Sequence, residues 1–143
     1  MIYVLDSNII IHYLREEKNV MEAIDTVIVG GCQLLIPRAI NYEICRGLDL
    51  LGATKKSTVY EKITNNSGFC KIVDMGEDVW GIAKQVYVSL RRRSLTVGEI
   101  DILIASFCLC HNYTLVTANT KDFANIEGLA LENWQKEAPL CTV

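Results

Sequence analysis

Proline is scarce in this 143-residue sequence, occurring only as Pro37 and Pro139. No Pro-rich or low-complexity tract suggests a linker, so one domain spanning 1–143 is expected. No apolar run reaches the roughly 20 residues that a bilayer span needs, and no membrane association is expected. The opening stretch Met1-Ile2-Tyr3-Val4-Leu5 meets Asp6 at once. It lacks the basic start and longer apolar core of a signal peptide, which makes the cytoplasm the expected location. Six cysteines stand at 32, 45, 70, 108, 110 and 141 without a CxxC pair. The two histidines, His12 and His111, lack zinc-site spacing. The cysteines are therefore expected to be reduced thiols.

What is present is ordinary globular composition, half of it hydrophobic and 22% charged. The formal net charge is −3. Taken alone that speaks against nucleic-acid binding, which favours basic domains. The average conceals the compact run Arg91-Arg92-Arg93, and Arg38, Arg46, Lys55 and Lys56 after the second strand. A site that holds cations with carboxylates is acidic where the metal sits, and bound metal reverses the local sign. Net charge does not decide the question.

Apolar periodicity gives the layout. Ile2–Leu5 reads as a short buried strand, followed after the polar break Asp6-Ser7-Asn8 by a helix to about Arg15. A second helix runs from about Asn19 to Ile28 and stops before Gly30-Gly31. Gln33–Ile36 is a strand closed by Pro37, and helices follow over Arg38–Leu51 and about Lys56–Asn65. Phe69–Val73 is the third strand, Glu77–Arg93 and Thr96–Cys110 are helices, and Tyr113–Thr117 is the fourth strand. Leu129–Leu131 offers a short final strand. Such alternation predicts an α/β fold with a mostly parallel sheet of four to five strands and helices on both faces. Ligands of such sheets bind beyond the carboxyl ends of the strands.

Several polar residues fall at that edge. Asp6 directly follows a strand, where it serves either as a helix N-cap or as a ligand. Glu43 lies on the stripe of Ile40, Ile44, Gly47 and Leu48. An inward carboxylate is costly unless paired, here with Arg38 or Arg46, or bound to metal. Gly47 weakens a helix, and close packing is expected to justify it. Asp101 stands among apolar neighbours and shares a face with Ala105 and Cys108. Glu99, two residues away, points elsewhere on a helix and is expected nearer solvent. The fourth strand ends in Thr117, Asn119 and Asp122, as plain turn residues or as site residues. Hard divalent cations want such oxygen donors, and Mg²⁺ needs only one or two carboxylates plus water and phosphate.

In order and spacing these residues resemble the PIN domain along essentially the whole chain. The matching stretches are Leu5-Asp6-Ser7-Asn8, Tyr42-Glu43 with Arg46-Gly47-Leu48, Gly98 with Asp101-Ile102-Leu103-Ile104-Ala105, and Leu115-Val116-Thr117-Ala118-Asn119-Thr120 with Phe123. Gly128-Leu129 and Glu132-Asn133-Trp134 are similar to the VapC toxin branch. The resemblance implies a PIN-like three-layer α/β/α fold and a metal-dependent endoribonuclease, the toxin of a type II toxin–antitoxin module. By position it makes Asp6, Glu43 and Asp101 the catalytic acids. Mg²⁺ or Mn²⁺ would be held by Asp6, Asp101, Glu43 and Asn119. The amide at Asn119 stands where a fourth acid belongs, and Asp122 is its possible substitute. Asn8 and Thr117 would orient the carboxylates. Arg38, Arg91, Arg92 and Arg93 would guide the RNA backbone. A VapB-like antitoxin is the implied partner, with a homodimer as the implied assembly. Two rivals stand beside this. One is a degenerate PIN domain that only binds protein or RNA, against which Asp6, Glu43 and Asp101 argue. The other is an aspartate-based phosphatase, which would carry a second Asp where Asn8 stands.

Overall fold

The computed structural model describes residues 1–141. Its strands are β1 (Ile2–Leu5), β2 (Gln33–Pro37), β3 (Cys70–Val73), β4 (Thr114–Val116) and β5 (Ala130–Glu132). Its helices are α1 (Ser7–Leu14), α2 (Lys18–Val29), α3 (Arg38–Leu51), α4 (Thr54–Thr64), α5 (Asp78–Arg92), α6 (Glu99–His111) and α7 (Thr120–Phe123). The strands form one sheet in the order β3-β2-β1-β4-β5, with every pairing parallel. The chain steps from β1 out to β3, then crosses back over β1 to β4. Right-handed crossovers in opposite directions place their helices on opposite faces. Helices α1 to α4 accordingly pack on one another as one layer, and α5 against α6 in the other.

Central strands covered on both faces should read as unbroken apolar runs. Tyr3, Val4 and Leu5 of β1 and all of β4 are buried. Leu5 pairs with Val116, so the residues following them, Asp6 and Thr117, stand side by side. The strand order reverses between β1 and β4, which makes their carboxyl ends a topological switch point. The amide of Asp6 donates to Val116 O at 3.0 Å and holds this corner shut.

Local signals account for most helix ends. Pro37 precedes α3, and Gly52 ends it with φ +61°, a left-handed position that costs glycine nothing. α6 begins at Glu99 instead of Thr96. Ser94 takes φ +57° just after α5, and Gly98 stays extended as the N-cap of α6, so residues 94–98 form a bend. The four-residue α7 was not foreseen, being a single turn, too short to show a repeating helical pattern.

Beyond β5 the chain folds back along β1. Trp134 is buried edge-on against Tyr3, with ring centroids 5.0 Å apart. Glu132, only 2% exposed, accepts hydrogen bonds from Trp134 Nε1 at 3.0 Å and the Leu140 amide at 2.9 Å. Burial, followed by the Glu132 charge, pushes the Tyr3 hydroxyl up to about 12, and it accepts from the Cys141 amide at 3.1 Å. The tail thereby brings the sulfur of Cys141 beside that of Cys32, where an oxidising medium could join them. Cys45, Cys70, Cys108 and Cys110 have no such sulfur neighbour. Among the described residues no helix is long and apolar enough to cross a membrane.

Candidate metal and nucleic-acid site

Asp6 does two jobs with its two oxygens. Oδ1 accepts from the Ser7 amide at 2.8 Å and caps α1. Oδ2 accepts from Thr117 Oγ1 at 2.8 Å and from Asn8 Nδ2 at 3.2 Å. The cap and the ligand were offered as alternatives, and the geometry is compatible with both at once. Thr117 is wholly buried, and Asn8 accepts from the Ala118 amide at 2.9 Å. Asn8 and Thr117 therefore fix the Asp6 carboxylate between the ends of β1 and β4. Asp6 is 5% exposed, and burial raises its pKa against the lowering effect of these hydrogen bonds.

Asp101 occupies the first turn of α6, half-buried, above Gly98. A Cβ on Gly98 would stand 3.6 Å from Asp101 Oδ2. Burial pushes the Asp101 carboxyl up to about 6, with the charges of Asp6, Glu43 and Asp122 adding to it in that order. Four acids from α1's cap, α3, α6 and α7 thus converge on one edge of the sheet. Glu99 is exposed and turned toward Tyr87 and Arg91 on α5, away from this cluster.

Neither arginine offered as a partner for Glu43 is paired with it. Arg38 Nε donates to Asp74 Oδ1, which raises the pKa of the guanidinium and lowers that of the carboxyl. Arg46 lies over the Tyr42 ring, 5.0 Å from its centroid. Glu43 is half-buried and has no salt-bridge partner among the described residues. The close packing expected at Gly47 is absent, because a Cβ there would meet nothing within 4 Å. Gly47 instead lines, with Glu43, a groove between α1, α3 and α4. Ile44, Leu48 and Leu51 make that groove apolar, and Arg15 and Lys56 carry it into a neighbouring hollow. The groove was not legible in the sequence, since its walls come from three separate helices, and spacing does not reveal how these pack.

Asn119 is exposed and donates its side-chain amide to Asp122 Oδ2, while its backbone amide donates to Thr117 Oγ1 at 3.0 Å. Asp122, rather than the Asn119 amide, adds charge at Asp101. Arg91, Arg92 and Arg93 are exposed at the end of α5. Arg93 donates to Asn125 O at 2.7 Å, and Arg91 lies over Tyr87.

The donor set suits a hard cation. It is all oxygen, it concentrates negative charge, and two of its members are partly desolvated. Among the described residues no three His, Cys, Asp or Glu side chains already close on a common point. Mg²⁺ completes its shell with water and phosphate where protein ligands are few.

Comparisons with known proteins show what the chain is similar to. A family model described as the PIN domain matches residues 3–129. Ribonuclease VapC2 of Rickettsia felis is 28% identical over 136 residues, covering 95% of this chain and all of the relative. Ribonuclease VapC1 of Haemophilus influenzae strain R2866 is 23% identical over a span of the same coverage. Among solved structures, VapBC2 from Rickettsia felis, bound to a DNA fragment from their promoter, superposes with TM-score 0.81 at 24% identity. The match covers 94% of this chain and 99% of that one. DNA-bound VapBC from Salmonella typhimurium gives TM-score 0.82 at 20% identity, over 94% and 98% of the two chains. At these identities the structural likeness speaks for the fold.

Proposed function

This chain belongs to the PIN-domain family, and from that premise we propose that it is the endoribonuclease toxin of a toxin–antitoxin module, hydrolysing RNA phosphodiesters with Mg²⁺ or Mn²⁺. The observation that carries the proposal is the meeting of Asp101 with Asp6, Glu43 and Asp122 beyond β1 and β4, where burial and like charge disfavour ionisation without a cation. The relatives named as VapC ribonucleases support the reaction, and the solved VapBC complexes support the partner.

In this account Asp6 and Asp101 hold the metal, Glu43 serves as the third acid, and Asp122 fills the acidic position that Asn119 leaves neutral. Asn119 orients Asp122 through its amide. Thr117 and Asn8 keep Asp6 Oδ2 aimed into the cleft by donating to it. When bound, the cation supplies Lewis-acid activation of water and neutralises charge developing on the phosphoryl oxygens. The exposed guanidinium groups of Arg91 and Arg92 guide the RNA backbone. Arg38 and Arg93 contribute less, each already holding a protein acceptor. Single-stranded RNA is the readable form, since side chains cannot enter the A-form major groove.

The antitoxin's tail occupies the groove between α1, α3 and α4. An apolar segment would cover Ile44, Leu48 and Leu51, with a basic side chain reaching Glu43. The chain acts in the cytoplasm as a homodimer, single-domain over 1–143. In those reducing surroundings the Cys32–Cys141 pair would stand open. Titration calorimetry with Mn²⁺ tests the site: the wild-type chain should bind, and Asp6→Asn and Asp101→Asn should each bind at least about tenfold more weakly. Equal binding by wild type and both variants would remove the metal site from these residues.

A further inference from the structure

Ile40 and Ile44 bury the inner side of α3. On its outer side Arg38, Tyr42 and Arg46 follow one another at intervals of four, and all three are exposed. Arg46 Cζ lies 5.0 Å from the Tyr42 ring centroid, so its guanidinium covers one face of the ring. Tyr42 is still 59% exposed, which leaves the other face to solvent. Arg46 forms no salt bridge among the described residues, although Glu43 stands one turn away on the same helix. α3 starts directly from the end of β2, so this ladder begins at the sheet edge where Asp6 and Asp101 stand. Tyr42 immediately precedes Glu43, whose charge reaches Asp101.

We propose that Tyr42, backed by Arg46, is a base-stacking platform that holds one unstacked base of single-stranded RNA beside the cut. The inference rests on the ribonuclease reading above and gives that site a residue that grips the base. Contacts to phosphate position a strand without touching its bases, so a base must be held by other groups. Aromatic rings and guanidinium planes are the side-chain surfaces on which splayed-out RNA bases stack. Here one lies on the other, which fixes the ring before a base arrives and lowers the entropy cost of binding. The Arg46 guanidinium keeps donors free for a neighbouring phosphate. Arg38, held by Asp74, adds positive charge on the other side of the ring. Together the two arginines offset the repulsion between Glu43 and the RNA backbone. Tyr42 and Glu43 are consecutive, and their side chains leave α3 about 100° apart. A strand whose phosphate meets the acids therefore sets a flanking base over the ring. Stacking tolerates any base, so the platform supplies grip, not sequence reading.

Steady-state cleavage of a short single-stranded RNA of mixed sequence by the full chain in Mg²⁺ tests the platform. Tyr42→Ala should raise KM about tenfold and Tyr42→Leu nearly as much, with kcat and thermal melting unchanged. Tyr42→Phe keeps the ring and should cleave as the wild type does. The loss should also be tied to one base. An abasic residue moved along the RNA should cost the wild type about tenfold at one position near the cut, and cost Tyr42→Ala nothing further there. Equal KM in wild type and Tyr42→Ala, a loss that Tyr42→Phe shares, or additive losses at every abasic position would refute the platform and leave the ribonuclease reading standing. A wild type that cleaves no single-stranded RNA would refute that reading and the platform with it. If Tyr42→Ala cleaves as the wild type does but escapes inhibition by a VapB-like antitoxin, this face docks the protein partner and the proposal is overturned.

Discussion

Replacing Asp101 by asparagine should stabilise the metal-free protein at neutral pH. The folded state holds this carboxyl at about 6, against an ordinary 3.8. Ionised at pH 7.5, it would oppose folding by about 3 kcal/mol if the whole gap counted. Asp101 is only half-buried, and solvent screening reduces the figure to about 1–2 kcal/mol. In a chain of this size that amounts to roughly 4 °C in Tm. The sign follows from proton binding. The folded state takes up a proton more readily than the unfolded one, so the contribution is fully present below pH 4 and lost as pH rises through 6. Asparagine keeps the shape without the charge, and its advantage should exist at pH 7.5 and vanish at pH 4. Differential scanning fluorimetry in EDTA at both pH values measures this. Adding Mn²⁺ at pH 7.5 should raise the wild-type Tm and leave the variant nearly unmoved. A variant less stable than wild type at pH 7.5, or equally advantaged at pH 4, would refute the electrostatic account of the site.

Thr117→Val removes the hydroxyl that donates to Asp6 Oδ2. RNA cleavage should fall about 10- to 100-fold and recover largely in Thr117→Ser, as steady-state assays can show. Glu132→Ala leaves the buried Trp134 Nε1 and the Leu140 amide without an acceptor; urea unfolding should show a loss of about 3 kcal/mol, and a loss under 1 would be too small for this network. Purified without reductant and then unfolded in guanidinium, the chain should take up alkylating reagent at four cysteines and spare Cys32 and Cys141. Opening that bridge with dithiothreitol should lower Tm by roughly 10 °C, because it closes a long loop. Full labelling of all six cysteines before reduction would contradict the pairing.

How much could be read beforehand varied with the reach of each interaction. Asp6 was legible because an apolar strand ends abruptly in a polar break. α3 was legible from residue 38 to 51, with Pro37 before it and Gly52 after it. Helical phase alone separated Asp101 from Glu99, and the structure keeps them apart. Asp122 was named as a substitute for Asn119, but the hydrogen bond between them was not legible, because it depends on α7, a single turn without periodicity. The partner of Arg38 was missed for a different reason. Asp74 lies 36 residues away and reaches Arg38 only because β2 and β3 pair in register. Cys32 and Cys141 meet through the packing of Trp134 on Tyr3, a contact that spacing cannot reveal. Gly47 was assigned to close packing, yet its missing side chain keeps a groove open.

The most direct test of the ribonuclease assignment is cleavage of single-stranded RNA by the purified, partner-free chain, with Asp101→Asn prepared in parallel to exclude contaminating nuclease. The account predicts internal cuts by the wild type in Mg²⁺ or Mn²⁺, none in EDTA, and none by the variant under any condition. Cleavage by the wild type that survives exhaustive chelation, or equal cleavage by the variant, would contradict it.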